Sequence, residues 1–174
     1  MSLSDTIDVH SRLLAPQIVA VLLLLTSMLT VSLPSIGYII PLLNIMIIYY
    51  WSVYRPELMP AWFVFVLGLL QDALYGTPLG MTAFINLLLR VVVVSQRRLF
   101  IKASYIAVWI GFLVFSFGVS VISWFLFSLY NQAIMPPHGA FIQWLLSAAF
   151  YSCIHWVLNL VYGILPDRQL HSHA

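Results

Sequence analysis

Five carboxylates, Asp5, Asp8, Glu57, Asp72 and Asp167, are the whole acidic supply of this chain, and they are scattered along its 174 residues. Paired-carboxylate acid–base chemistry and two-metal hydrolysis need such groups gathered in one place, so neither has its material here. The sequence contains no Walker-type glycine loop, no His-Glu-x-x-His helix and no Gly-x-Ser-x-Gly elbow. His171 and His173 have the spacing of weak metal ligands but stand in a short solvated tail. Cys153 is the single cysteine and excludes an intramolecular disulfide framework. The expectation is a protein without catalytic residues, metal or cofactor.

What remains is a small set of polar side chains in apolar surroundings. Gly68, Gln71 and Asp72 fall on one side of a helical segment, and Thr82, Asn86 and Arg90 recur at four-residue spacing. Ala148, Ser152, His155 and Asn159 follow a third stripe, and Asn44 is a smaller signal of the same kind. Lipid tails offer no hydrogen bonds, so such stripes are expected to turn toward protein. Asn86, Arg90, Ser152, His155 and Asn159 then form a polar bundle interior, serving either as bonds between helices or as a pocket for a small molecule. A row of small residues, Gly111, Ser116, Gly118, Ser120 and Ser123, is a candidate helix-packing face, toward a partner or within the bundle.

Asp72 and Arg90 are the charged side chains well inside apolar runs. Their positions along consecutive helices differ by roughly 10–15 Å in depth, too far for a direct bridge. Asp72 is expected to accept hydrogen bonds from the turn Gly76 to Gly80, and Arg90 to snorkel toward the headgroups beside Arg97 and Arg98.

The elements that must position these groups are legible in the composition, 63% hydrophobic and 7% charged. Apolar runs cover 13–33, 36–54, 58–75, 79–95, 103–130 and 140–165, each close to the ~20 residues a helix needs to cross a bilayer. The fold class expected is an all-α membrane protein, a bundle of six transmembrane helices, flanked by segments 1–12 and 166–174 outside the membrane. The third and fourth runs are the shortest and are expected to meet around Gly76-Thr77-Pro78-Leu79-Gly80. If the runs alternate in direction, Arg12, Arg55, Arg97, Arg98, Lys102 and Arg168 share one side, which the positive-inside rule makes cytoplasmic together with both termini. A signal peptide is the alternative for the first run, but the run is long and lacks a small-residue cleavage box. Tyr49, Tyr50, Trp51 and Trp62 are expected as interfacial anchors. The basic residues of 96–102 suit anionic membrane lipids and not nucleic acid.

The middle of the chain carries a recognisable pattern. Pro41 opens the second run, Tyr50-Trp51 stands near its end, and Tyr54-Arg55-Pro56-Glu57 follows. Then come Gly68-Leu-Leu-Gln-Asp72 and the turn Gly76-Thr-Pro-Leu79-Gly80. These residues resemble the MreD family, bacterial rod-shape-determining membrane proteins. The layout agrees over nearly the whole chain, the specific motifs occupy the middle third, and after Arg90 only the apolar spacing is similar. The resemblance implies a non-enzymatic component of the cell-elongation complex in the inner membrane, acting in lateral peptidoglycan synthesis through an MreC-type bitopic partner, with MreB, RodA and its partner transpeptidase. It also implies a helix arrangement similar to the substrate-binding subunits of energy-coupling-factor transporters. No catalytic residue transfers, and the motif residues are implied to be structural or partner-facing. The alternative reading is a small-molecule-binding membrane subunit of a transporter.

Overall fold

The computed structural model describes residues 16–26, 42–101, 103–134 and 136–164. Its helices are α1 (Pro16–Thr26), α2 (Leu43–Tyr54), α3 (Ala61–Tyr75), α4 (Met81–Phe100), α5 (Tyr105–Tyr130) and α6 (His138–Ile164), with a 3-10 turn over Pro56–Leu58. The described residues contain no strand, and a helix overlaps each of the six apolar runs. Pro41, Lys102 and the chain ends, with Arg12, Arg168, His171 and His173, lie outside the described residues.

The second helix sets the architecture. Every residue from Asn44 to Val53 is buried, as expected of a helix apolar on all sides, which has no face to offer solvent. α2 is the centre of the bundle, packed against α4, α6 and α5, while α3 pairs with α4 and α5 with α6. Ala20 and Leu24 of α1 belong to the same core cluster as Met46, Trp51, Leu67, Leu89, Phe112 and Tyr151. α1 is thus packed into the bundle.

This arrangement corrects the reading of the aromatic residues. Tyr49, Tyr50 and Trp51 are fully buried, and of the expected anchors only Trp62 is exposed, at 64%. The belt rule rests on amphipathic rings that face lipid headgroups, but the side chains of a central helix are enclosed by other helices. Tyr49 instead donates to the carbonyl of Val108 on α5 at 3.0 Å. Its ring meets Phe112 edge-on at 5.5 Å.

The fourth helix also differs from expectation. It runs to Phe100, so Arg97 and Arg98 form its last turn and not a loop. The apolar run ends at Ser95, but Gln and Arg are good helix formers, and cations at a helix C-terminus complement its dipole.

α5 and α6 are stapled by indoles. Trp144 Nε1 donates to Leu113 O at 3.1 Å and Trp109 Nε1 to Ala148 O at 3.4 Å, and Phe112 stacks on Tyr151 at 4.1 Å. By length and composition, Tyr105–Tyr130 and His138–Gly163 are the described helices able to cross a membrane, whereas the apolar α1 and α3 segments are shorter.

Candidate functional site

The α3–α4 connection is built around one carboxylate. α3 ends because Gly76 takes a left-handed conformation, φ 67°, which costs a glycine little. The N–H of Gly76 and that of Thr77, at 3.0 Å, both return to the carbonyl of Asp72. The side chain of Asp72, fully buried, then reaches across to the start of α4. Its Oδ1 accepts from the Thr77 hydroxyl at 2.7 Å and from the Thr82 N–H at 3.1 Å. Its Oδ2 accepts from the Gly80 N–H at 2.8 Å.

The first N–H groups of a helix have no partner in their own helix, and they carry the positive end of its dipole. Gly80, at φ 93°, occupies the capping position of α4 and has no side chain with which to cap it. Asp72 supplies the missing acceptor from the neighbouring helix. The expectation that it binds the Gly76-to-Gly80 turn corresponds to this geometry. α3 rises only about 22 Å, short of the ~30 Å hydrocarbon core, so satisfying this turn internally matters for a protein in lipid.

Two contacts fix α3 against its neighbours. A Cβ added at Gly68 would overlap Ala83 Cα and lie 2.8 Å from Ala83 N, so only glycine permits this approach of α3 and α4. On the other side Asn44 Nδ2 donates to Gln71 Oε1 at 2.6 Å, joining α2 to α3.

Arg90 does not snorkel to the headgroups. Its Nε donates to Met59 O at 2.7 Å and its Nη2 to Pro56 O at 3.4 Å. The 3-10 turn and the bend after it leave carbonyls outside the helical ladders, and a half-buried guanidinium with a planar fork of donors is suited to take them. Asp72 and Arg90 thus secure opposite ends of the α3–α4 hairpin without touching. Arg55 is buried beside the same turn, its guanidinium carbon 5.2 Å from the ring centroid of Tyr162, and Pro56 is buried as well. Leu79, by contrast, is 75% exposed.

The expected polar interior is not assembled as one site. Asn86 is fully buried, with neither side-chain atom hydrogen-bonded among the described residues. Ser152 and Asn159 are exposed on α6 instead of facing inward. Each has one tyrosine partner: Tyr105 donates to Ser152 Oγ at 3.0 Å and Tyr50 to Asn159 Oδ1 at 3.4 Å. His155 lies half-buried between them, its ring 4.9 Å from Tyr105 and 5.3 Å from Tyr50, centroid to centroid. The α6 stripe reads inward by periodicity, but α2 is flanked there by bulky tyrosines, and these fill the interior and leave the smaller polar groups at its edge.

The small-residue row of α5 is likewise redistributed. A Cβ at Gly111 would lie 2.5 Å from Phe100 Cε1 and 2.6 Å from the Tyr49 hydroxyl. Ser116 is buried, returning its hydroxyl to Phe112 O at 2.6 Å, and Ser120 is buried too. These three pack within the bundle and offer no partner face, while Gly118 has open space where a Cβ would stand.

The family model for rod shape-determining protein MreD matches residues 9–163 of the 174. The chain belongs to the MreD family. It is therefore a rod-shape-determining membrane protein of the bacterial type, associated in general terms with the rod-shape complex. No curated protein and no solved structure matches the chain, so the expected likeness to energy-coupling-factor subunits has no support. In MreD-family terms, the Gly68-to-Gly80 motif is here a helix hairpin locked by Asp72, and the Tyr50-Trp51 pair is the core of the central helix. Sequence reasoning missed Ser147, whose hydroxyl accepts the Leu42 N–H at 2.8 Å and caps the entry to α2 from α6. Its four-residue spacing from Gln143, whose carbonyl it also binds at 2.7 Å, was the available signal.

Proposed function

We propose that this MreD-family chain is a non-enzymatic, multi-pass subunit of the cell-elongation complex that joins its partners inside the membrane. Lateral peptidoglycan synthesis is the process served, and the partners are an MreC-type bitopic protein and, through it, MreB, RodA and the associated transpeptidase. The observation that carries this reading is the exposed polar edge of α6. Ser152 and Asn159, two helical turns apart, stand on the outside of an apolar helix beside exposed Trp156. Lipid cannot complete their hydrogen bonds, whereas a partner helix can, and polar residues are a recurrent adhesive between membrane helices. The connections among the described residues are too short to fold separately, while specific interfaces bury at least ~1,000 Å², which leaves helix faces as the surface of that size. We further propose that both termini face the cytoplasm, in the orientation the one-sided basic residues favour.

The test is replacement of the native family member in a rod-shaped bacterium by Ser152→Leu/Asn159→Leu. Rounded cells at normal protein level are expected. Undisturbed rods would remove α6 as the partner face. Against the transporter-subunit reading, Ser152 and Asn159 stand on the exposed side of α6 while Asn86 is fully buried on α4.

A further inference from the structure

The polar edge of α6 belongs to a longer row. Leu145, Ala149, Ser152, Trp156, Asn159 and Gly163 follow one another at steps of four, three, four, three and four residues, and all six are exposed. This is the 3.5-residue repeat with which a helix meets a neighbour in a left-handed crossing. From 145 to 163 the row rises about 27 Å, close to the ~30 Å thickness of the hydrocarbon core. An occupant that follows it from end to end crosses the membrane itself, as a loop or a half-inserted segment does not.

The polar groups on the row define the chemistry it meets. Ser152 Oγ already accepts from Tyr105 and Asn159 Oδ1 from Tyr50. The serine proton and the asparagine NH₂ are left to donate, and no acceptor meets them among the described residues. Lipid tails supply none, so the facing helix should present two acceptor oxygens at the same seven-residue spacing. Between Ser152 and Asn159 stands the indole of Trp156, 66% exposed. A knob of that size needs a hole, which a small residue between the two acceptors provides. A second copy of the chain does not provide it. Copies inserted in the same direction pair in parallel about a twofold axis, which sets Trp156 against Trp156 in one layer. Resting on the reading of α6 as the partner face, we propose that its occupant is one transmembrane helix of a different chain. That helix crosses α6 left-handedly along the Leu145-to-Gly163 row, with a small residue on Trp156 and acceptor side chains on Ser152 and Asn159.

The experiment is disulfide cross-linking in membranes. The full-length protein in a Cys153→Ser background is co-expressed with an MreC-type partner whose transmembrane helix carries a single cysteine at each position in turn. Leu145→Cys, Ala149→Cys and Gly163→Cys should each give a cross-linked heterodimer, with reactive partner positions recurring every three to four residues. Phe150→Cys and Val157→Cys, exposed on the other flank of α6, should give none. Leu in place of the partner's small residue opposite Trp156 should abolish the Ala149→Cys cross-link, and Trp156→Ala in the same protein should restore it. Cross-linking from Phe150→Cys and Val157→Cys as strong as from the row would overturn the row while leaving α6 as the partner face. A product of two copies of this chain would overturn the choice of occupant. No cross-link to the partner from any α6 position would remove the partner-face reading itself, and this inference with it.

Discussion

Asp72 does the work that a capping residue on α4 would ordinarily do. A buried carboxylate is costly unless its lone pairs are filled, and here the Thr77 hydroxyl and the Gly80 and Thr82 N–H groups fill them. The geometry ranks the substitutions. In Asp72→Asn the amide oxygen can keep the Gly80 and Thr82 N–H groups while the NH₂ donates to a rotated Thr77 hydroxyl. In Asp72→Leu the same donors lose their acceptor, at a cost of about 1–3 kcal/mol for each one left unpaired. Asp72→Asn should therefore retain cell-shape function and a melting temperature near the parent's, and Asp72→Leu should lose both. Complementation scored at matched protein level distinguishes them, and equal, complete loss in both variants would mean that the negative charge itself is required. This residue was legible in the sequence because its partners lie within ten positions of it. Arg90 was not, because its acceptors, Met59 O and Pro56 O, lie 31 and 34 positions away and become neighbours only once α3 and α4 have packed.

At the scale of elements, the hairpin of α3 and α4 depends on contact between backbones. Apolar burial drives little association between helices already in lipid, so close packing must supply the attraction. Gly68 permits that packing, and Gly68→Ala should push Ala83 away, destabilising the bundle by about 1–3 kcal/mol as overpacking does. Gly118→Ala, with open space at its Cβ, should melt at or slightly above the parent temperature. Thermal unfolding in one detergent compares the two, and equal melting would contradict the hairpin contact. The existence of each helix was legible from apolar run length, but the faces were less so. α5 is apolar nearly all round, so nothing in its pattern says that Gly111, Ser116 and Ser120 face inward. That assignment comes from Tyr49 and Phe100 filling the space against Gly111. The burial of Tyr50 and Trp51 likewise follows from the central place of α2, a property of the assembled bundle and not of its sequence.

Among the described residues almost nothing lies outside the helices, so orientation and partnership carry the functional reading. In the proposed orientation, with both termini cytoplasmic, the α5–α6 connection at 131–137 would face the periplasm. In a Cys153→Ser background, Pro136→Cys should react with an impermeant thiol reagent on intact spheroplasts. Reaction only after the inner face is opened would reverse the orientation. The proposed partner interface lies on helix surfaces, foremost the Ser152–Asn159 edge of α6. The most direct measurement is co-purification in mild detergent with an MreC-type partner, comparing the complete partner, a version without its transmembrane helix, and its isolated periplasmic domain. Capture of the complete partner alone, weakened by Ser152→Leu/Asn159→Leu, is the predicted result; undiminished capture of the isolated periplasmic domain would rule out an intramembrane interface and move it to the outer connections.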